Sequence, residues 1–469
     1  MARPTTVGEL KAYGYRPRSV KEEMRANLIR KIASGEQVFP GIVGYEETVL
    51  PQIENAVLAG QDIIFLGERG QAKTRIARAL VNLLDEEIPV LAGSEVNDDP
   101  LAPISAAGRE AIADKGDNAD IEWLPRDRRY GEKLATPDIT VADLIGEVDP
   151  IKVAEGRYLS DELTIHYGML PRTNRGVFAI NELPDLAERI QVGLLNIMEE
   201  RDVQVRGYKI RLELDLFIVA SANPEDYTNR GRIITPLKDR FGSQIRTHYP
   251  RTIPHEIDIM EQERTQYAGS EFETVVPDFM KEIVAEVTHL ARRSNDISQR
   301  SGVSVRVSIC NYESMLANAL RRSIRLREQQ VAPRVSDLSA LVTTTGGKIE
   351  LESVGETTEE KIVDRLVQRA TLNVFNRHFQ LADLDELIAN FDRGLSIETS
   401  DTMSSLEYMT QAGEVGGLTD AVRTLGAQGN PALVASAMEF VLEGLHLHRK
   451  LNKDRVAGQR GRFHFGAGR

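Results

Sequence analysis

The chain has 469 residues, of which 41% are hydrophobic and 28% are charged, and this composition is typical of a globular protein with about three domains. Its 58 basic and 71 acidic residues give a formal net charge of −13, which argues against a general nucleic-acid or anionic-membrane binder. The single cysteine, Cys310, excludes an internal disulfide framework and any multi-cysteine metal site.

Targeting and membrane signals are absent from the sequence pattern. The first residues, MARPTTVGEL, contain no apolar core of a signal peptide. No run approaches the roughly 18 apolar residues that a membrane-spanning helix needs. We therefore expect a cytoplasmic protein without a membrane span.

The N-terminal region predicts two helices separated by an irregular apolar turn. Residues 19–34 read as a capped amphipathic helix that ends before Gly35, and residues 46–58 read as a second helix. Between them, Ile42, Val43 and Gly44 form a small apolar turn just upstream of a glycine-rich loop. Such a turn could hold an adenine ring, although an ordinary loop junction explains it equally well.

A strand, a glycine-rich loop and a helix follow one another from Ile63 onward. This pattern is typical of a phosphate-binding loop, in which backbone N–H groups and a helix N-terminus face a phosphate chain. In that arrangement Lys73 would reach the outer phosphates and Thr74 would bind Mg²⁺. The predicted ATP-binding residues are Gly67, Glu68, Arg69, Gly70, Gln71, Ala72, Lys73, Thr74 and Arg75.

Ala72 stands where such loops usually have glycine. A methyl group is tolerated there if the local φ is negative, but it narrows the cradle. An ordinary strand-to-helix turn that happens to end in Lys-Thr is the alternative interpretation of the loop.

The next segment is less regular. Residues 88–91 predict a second buried strand. Residues 92–142 are polar and rich in Gly, Pro and Asp, and we interpret them as an elaboration outside the core.

Two later apolar strands end in polar side chains. Residues 176–180 run into Asn181 and Glu182, and residues 216–222 run into Asn223. Ligands of parallel sheets bind beside the carboxyl ends of strands, so Asn181 and Glu182 would lie beside the phosphate loop if their strand neighbours that of Ile63. Glu182 could then act as the general base for water, and Asn223 could orient that water. Strands that run into exposed turns are the alternative.

With these motifs in place, the sequence resembles the AAA+ ATPases, in particular the group of the magnesium-chelatase I subunit and the MoxR-type ATPases. The resemblance covers roughly residues 37–350. It is carried by the phosphate loop, by Asp143 to Gly146 with Glu155-Gly156, by Asn181-Glu182, by Asn223-Pro224-Glu225 and by Leu237 to Phe241.

The resemblance implies roles for individual residues. Lys73 and Thr74 would hold phosphates and Mg²⁺, Glu182 would activate water, and Asn223 would sense the γ-phosphate. Arg240 would be an arginine finger inserted into the site of a neighbouring subunit, and a salt-bridged surface arginine is the alternative.

The metal site departs from the family pattern. Asn181, with Thr74 the expected metal-site residue, stands where the family usually has aspartate, and an amide offers one oxygen and no charge. Together with Ala72, this departure favours an ATPase that cycles slowly.

The second half of the chain resembles the helical lid of the family. Residues 274–297 and 303–326 predict helices, and Arg306 stands where a second sensor would reach over the nucleotide. Further helices follow, and the basic tail around residues 458–466 is expected to be flexible.

We therefore predict an α/β fold with a P-loop αβα parallel-sheet core, a helical lid and a C-terminal helical region. The expected parts are an N-terminal helical segment (1–36), the AAA+ core with insertions (37–250), the lid (251–350) and a C-terminal helical region with a flexible tail (351–469).

The expected activity is Mg²⁺-dependent ATP hydrolysis in a homo-oligomeric ring, expected to be a hexamer, that remodels a partner. The resemblance suggests a partner with a von Willebrand A domain. Two alternatives stay open, the motor subunit of magnesium chelatase and a nucleotide-gated scaffold without catalysis. A sigma-factor-dependent transcription activator is a weaker one, because its Gly-Ala-Phe-Thr-Gly-Ala loop is missing.

Overall fold

The computed structural model describes residues 3–148, 162–200, 204–205, 208–209, 212–223, 231–266, 272–299, 302–352, 358–456 and 460–465. The chain divides into two compact units, residues 1–248 and 249–469. Two short stretches that carry the family resemblance, Glu155-Gly156 and Pro224-Glu225, lie outside the described residues.

The first unit is built on a five-stranded parallel sheet. In chain order its strands are β1 (Ile63–Leu66), β2 (Tyr130–Leu134), β3 (Gly176–Asn181), β4 (Leu216–Ala222) and β5 (Ser243–Arg246). They are arranged in the order β5-β1-β4-β3-β2, and every pair is parallel. The predicted parallel-sheet α/β core is confirmed.

Both faces of this sheet are covered. Successive strand residues point to opposite faces, so Ile63 and Phe65 enter one apolar cluster while Ile64 enters another. The helices of this unit are Val7–Ala12, Val20–Ser34, Val49–Leu58, Lys73–Ala79, Ala106–Lys115, Val141–Leu144, Met169–Arg172, Glu188–Glu200 and Thr235–Arg240, with 3₁₀ turns at Leu80–Leu83, Gly116–Asn118, Arg126–Arg129, Glu162–Thr164 and Leu183–Asp185.

The helix predicted at residues 19–34 is confirmed at Val20–Ser34. Ser19 and Glu22 form a capping box at its start, and Gly35 ends it with a φ of 71°. Its buried residues Val20 and Met24 share a core cluster with β1, so the N-terminal segment packs within the first unit.

The segment interpreted as an elaboration contains a strand of the central sheet, so that interpretation was wrong for residues 130–134. β2 pairs only with β3 and forms the sheet edge, where its residues are half-buried or exposed. An edge strand needs no continuous apolar run, so the hydrophobic pattern of the sequence does not reveal it. The predicted strand near Ile88 exists as Glu87–Leu91, but it pairs antiparallel with Ile121–Pro125 in a separate ribbon.

Two further antiparallel ribbons belong to this unit. Gly146–Val148 pairs with Ile165–Tyr167, and Gln204–Val205 pairs with Tyr208–Lys209. The second ribbon matches the alternating pattern of its sequence.

The second unit is mostly helical. Its helices are Ile253–Glu263, Asp278–Ala291, Val305–Leu326, Leu341–Gly346, Glu359–His378, Asp385–Asp392, Ser405–Glu414, Leu418–Thr424 and Pro431–Leu447, with 3₁₀ turns at Val335–Ala340 and Leu381–Leu384 and a parallel pair of Glu273–Thr274 with Gln330–Val331. One apolar core extends from Met260 to Phe463. The expected boundary between lid and C-terminal region at residue 350 therefore falls within a continuous core.

The basic tail, which was expected to be flexible, forms a strand over residues 460–465. Ser396–Ser400, Leu451–Val456 and Arg460–Phe465 form an antiparallel sheet with the tail strand in the middle. Phe463 is buried, while Arg462 forms an ion pair with Glu398 on the outside. The alternation of basic and aromatic residues is thus the pattern of a half-buried strand. No helix among the described residues is long and apolar enough to cross a membrane.

Candidate nucleotide-binding site

The glycine-rich loop joins the end of β1 at Leu66 to the Lys73–Ala79 helix. Its first glycine is required by close packing. A Cβ at Gly67 would come within 1.9 Å of Thr247 Oγ1 and 2.3 Å of Gln71 Oε1. Any side chain here would displace the residues that shape the loop.

Gln71 braces this loop from within. Its Oε1 accepts hydrogen bonds from Thr247 Oγ1 at 2.7 Å and from the Glu68 backbone N–H at 3.1 Å, and the residue is buried. The Tyr45 hydroxyl lies 3.0 Å from the Gln71 carbonyl oxygen and 2.6 Å from that of His248. Burial raises the pKa of Tyr45 to about 12, so the hydroxyl stays neutral.

Two loop-shaping residues were therefore missed by sequence reasoning. Thr247 follows β5 and Tyr45 precedes the Val49–Leu58 helix, far from the loop in the chain. Gln71 was expected to bind ATP, and in the structure its side-chain oxygen accepts hydrogen bonds from Thr247 and Glu68.

Ala72 has a φ of 55°, in the left-handed region. The condition stated for tolerating a methyl group, a negative φ, is not met. An L-residue pays roughly 1–2 kcal/mol for this conformation. The loop therefore keeps the backbone shape that a glycine would take there, at a cost in strain.

Lys73 is buried and its ammonium group is surrounded by oxygen acceptors. Nζ donates to the Gly67 carbonyl, to the Glu68 carbonyl at 2.8 Å and to Asn223 Oδ1 at 2.7 Å. The positive charge is thereby held at the mouth of the loop, where a phosphate chain would meet it.

Asn223 connects this lysine to Glu182. Its Nδ2 donates to Glu182 Oε2 at 2.8 Å while its Oδ1 accepts from Lys73. We name the Lys73–Asn223–Glu182 chain of hydrogen bonds the relay. From the sequence, Glu182 was expected beside the loop if β1 and β3 were neighbours. They are not neighbours, because β4 lies between them. Asn223, which follows β4, bridges the gap.

Glu182 sits on strained backbone. Its φ is 56°, directly after β3, and its N–H donates to Ser221 Oγ at 3.3 Å. Non-glycine residues held in this region cluster at functional sites.

Thr74 and Asn181 present two oxygens side by side. Thr74 Oγ1 donates to Asn181 Oδ1 at 3.3 Å, and Ser221 Oγ donates to the same oxygen at 3.2 Å. Mg²⁺ in nucleotide sites takes one or two protein oxygens and otherwise water and phosphate. A hydroxyl and an amide oxygen fit that requirement, and among the described residues no cluster of three His, Cys, Asp or Glu offers another metal site.

A carboxylate that sequence reasoning missed lies against Asn181. Glu132 Oε1 accepts from Asn181 Nδ2 at 2.9 Å, and Arg78 binds the same carboxylate from outside. Burial alone would raise the pKa of Glu132, but hydrogen bonds from Arg78, Tyr130 and Asn181 hold it below its ordinary value. Glu132 therefore carries a full negative charge beside the candidate metal site.

Comparison with known proteins places this site in a family context. No protein-family profile matches the chain. The chain is 29% identical over 262 residues to the magnesium-chelatase subunit ChlI of a Nostoc species, an alignment that covers 54% of this chain and 64% of the relative. It is 26% identical over 294 residues to ChlI of Mesostigma viride, covering 59% of this chain and 77% of the relative.

The chain is similar to the magnesium-chelatase I subunits of the AAA+ class. The predicted resemblance is confirmed to that extent. The chain spans just under two thirds of the Nostoc relative. Among solved structures, a BchI–BchD complex of magnesium chelatase aligns with a TM-score of 0.36 at 20% identity, over 72% of this chain and 95% of that chain.

In this chelatase-I-like chain, the other residues predicted to bind ATP differ in their burial. Ile42 is buried in the core, while Val43 and Gly44 are half-buried. Arg69 and Arg75 are exposed. The adenine-binding and phosphate-binding roles of these residues stay predictions.

The two predicted arginines that act from outside lie in different units. Arg240 ends the Thr235–Arg240 helix, is exposed, and forms an ion pair with Glu199. Arg306 is exposed in the first turn of the Val305–Leu326 helix, whose N-cap Ser304 accepts from its N–H at 3.1 Å. The arginine-finger role of Arg240 and the second-sensor role of Arg306 stay predictions.

Proposed function

We propose that this protein hydrolyses ATP with Mg²⁺ in a ring-shaped AAA+ assembly and couples hydrolysis to the remodelling or activation of a partner protein. The observation that carries the proposal is the relay. It joins the Lys73 ammonium of the loop, the Asn223 amide and the Glu182 carboxylate at the carboxyl ends of neighbouring strands. The similarity to magnesium-chelatase I subunits supports it.

Each residue has a defined task in this proposal. Lys73 binds the outer phosphates, while Thr74 and Asn181 hold Mg²⁺. Bound Mg²⁺ would neutralise charge on the phosphates. Glu182 accepts a proton from water, and Asn223 fixes the orientation of Glu182 through its hydrogen bond.

Phosphate release by the wild type and by Glu182→Gln tests the hydrolytic part. We expect the rate of the variant to fall at least about 100-fold while ATP binding persists, because a general base contributes about 10²–10⁴. Glu188→Gln, an exposed glutamate on the following helix, is the control and keeps the wild-type rate. Equal rates for wild type and Glu182→Gln, both at the background level, would instead favour a nucleotide-gated scaffold.

The ring assembly is tested through Arg240. We propose that this exposed side chain leaves Glu199 and completes the site of a neighbouring subunit. Arg240→Ala and Lys73→Ala are each expected to be inactive, and mixing them restores hydrolysis, because a mixed ring pairs an intact loop with an intact arginine. If the mixture stays inactive although mixed oligomers form, the arginine does not act between subunits.

The partner is proposed to bear a von Willebrand A domain. A pull-down with Glu182→Gln in the presence of ATP, with Lys73→Ala as the control that lacks nucleotide, tests this. Recovery of such a domain with the first variant only is the expected result. Recovery of partners without that domain would contradict it.

A second candidate function is the motor subunit of magnesium chelatase, favoured by the similarity to ChlI proteins. Addition of the chelatase partner subunits and protoporphyrin tests it directly. Formation of the metallated porphyrin would establish it, and hydrolysis without that product would favour the general remodeller.

A further inference from the structure

The two ends of the Asn181 side chain have different partners. Its Nδ2 lies 2.9 Å from Glu132 Oε1, while its Oδ1 lies 3.3 Å from Thr74 Oγ1 and 3.2 Å from Ser221 Oγ. The hydroxyls of Thr74 and Ser221 can donate or accept, so they do not distinguish the two ends of an amide. A carboxylate only accepts, so Glu132 can face only the NH₂ end.

Glu132 is itself held in place. Arg78 Nε donates to Oε2 at 2.7 Å and Arg78 Nη2 to Oε1 at 3.1 Å, while the Tyr130 hydroxyl donates to Oε2 at 3.1 Å. Its side chain is 22% exposed. A planar, two-point contact with arginine fixes the carboxylate plane as well as its position.

The strand register brings the two side chains together. β2 runs parallel to β3, with Glu132 opposite Ala179 and Leu134 opposite Asn181. Residues two apart on a strand lie on the same face, so Glu132 and Asn181 are diagonal neighbours. Glu132 on β2 can thus contact Asn181 at the end of β3.

These contacts decide which atom of Asn181 faces Thr74. If the amide were reversed, an NH₂ group with positive partial charge would face the position that a cation must occupy. Loss of Glu132 would remove the contact that excludes this reversal. An aspartate at position 181 would have no such requirement, because its two oxygens are equivalent.

We propose that Glu132 is a positioning residue that directs the Asn181 oxygen toward Thr74 and supplies, from the neighbouring strand, the negative charge that an amide lacks. This inference rests on the proposed function, since it assigns how that site binds Mg²⁺. The task of one aspartate is divided here between an amide that contacts the metal and a carboxylate that orients it. Outer partners of this kind commonly change metal affinity by roughly 10–100-fold.

The test measures how strongly Mg²⁺ tightens nucleotide binding. The affinity of a fluorescent ATP analogue is determined with Mg²⁺ and with EDTA, for the wild type and Glu132→Met, and Mn²⁺ binding is followed by electron paramagnetic resonance. We expect Glu132→Met to lower the Mg²⁺ enhancement and the Mn²⁺ affinity roughly tenfold. Its affinity in EDTA stays at the wild-type value, which also shows that the variant is folded.

The same change in the Asn181→Asp background separates orientation from general electrostatics. There we expect Glu132→Met to lower Mn²⁺ affinity clearly less than in the Asn181 background, because an aspartate needs no orientation and only the attraction of the Glu132 charge is lost. An equal tenfold loss in both backgrounds, or no loss in either, would overturn the inference.

Glu162→Met is the matched control. Glu162 also binds an arginine and a tyrosine, with Arg109 Nη2 at 3.2 Å and the Tyr167 hydroxyl at 3.1 Å, but it has no bond to Asn181. We expect its Mn²⁺ affinity to equal that of the wild type, and a tenfold loss there too would overturn the specific role of Glu132. Failure of the wild type to bind nucleotide both with Mg²⁺ and in EDTA would refute the proposed function instead.

Discussion

Both units bury charged groups within hydrogen-bond networks, and Lys73 in the first unit and Glu256 in the second can be compared. In the first unit, Lys73 is held by two carbonyls and Asn223. In the second, Glu256 is fully buried and accepts from Arg292 at 2.8 and 3.0 Å and from Ser308, with His289 Nε2 at 3.4 Å. Both satisfy the rule that a buried charge needs partners.

The surroundings of the two charges are not alike. Beside Lys73, Ala72 and Glu182 adopt positive φ, and Thr74 and Glu182 are half-exposed. Glu256 lies inside the regular Ile253–Glu263 helix. A buried charge therefore does not mark function by itself. Strained backbone and half-exposed oxygens around it distinguish the candidate site from the structural network.

Removal of the Glu256 charge and of the Lys73 charge tests whether the Glu256 network serves stability and the Lys73 network serves binding. Glu256→Gln is expected to lower the free energy of unfolding by about 3–5 kcal/mol, because it leaves Arg292 buried without its charged partner. Urea denaturation measures this. Asp258→Asn, an exposed position on the same helix, is the control and changes the free energy by less than about 0.5 kcal/mol. A small effect of Glu256→Gln would contradict the structural role.

Lys73→Ala, by contrast, is expected to affect ATP affinity more than the free energy of unfolding. Loss of charged hydrogen bonds to phosphate, about 2–3 kcal/mol, corresponds to a fall in ATP affinity of roughly 30- to 100-fold. Titration of a fluorescent ATP analogue measures it, with the exposed Lys11→Ala as control. If Lys73→Ala binds ATP as the wild type does, the loop is not a phosphate site.

The pH dependence of stability tests the role of Glu256 in a second way. Burial would raise the pKa of Glu256, but the nearby His289 and hydrogen bonds from Arg292 and Ser308 lower it below its ordinary value of 4.5. A carboxyl with a depressed folded-state pKa stabilises above the unfolded value and loses that contribution as the pH falls through its folded pKa. Below about pH 4.5, we therefore expect the free energy of unfolding to fall more steeply in the wild type than in Glu256→Gln. Parallel curves would contradict this.

The smallest effect is expected at Ala72. Replacement by glycine removes roughly 1–2 kcal/mol of left-handed strain but adds roughly 0.5–1 kcal/mol of chain entropy. The free energy of unfolding should therefore change by less than about 1.5 kcal/mol, toward greater stability. Thermal denaturation measures it, and Ala79→Gly, in the same helix, is the control that destabilises. Destabilisation by Ala72→Gly would show that the loop carries no such strain.

Local patterns in the amino-acid sequence were enough to predict several elements of the fold. The correctly predicted parts are the strand, loop and helix from Ile63 to Ala79, the buried strands just before Glu182 and Asn223, and the capped helix from Val20. Apolar runs, glycine positions and capping residues act over a few neighbouring residues, so they can be recognised without the fold.

Contacts between residues that are distant in the chain could not be predicted in this way. Glu132 reaches Asn181 because a polar edge strand pairs with β3, and Thr247 and Tyr45 brace the loop from elements far away in the chain. The left-handed backbone of Ala72 and the inner strand of the tail likewise follow from packing and pairing. Strand register and long-range hydrogen bonds are set by contacts between segments, and such contacts leave little trace in the local periodicity of either segment.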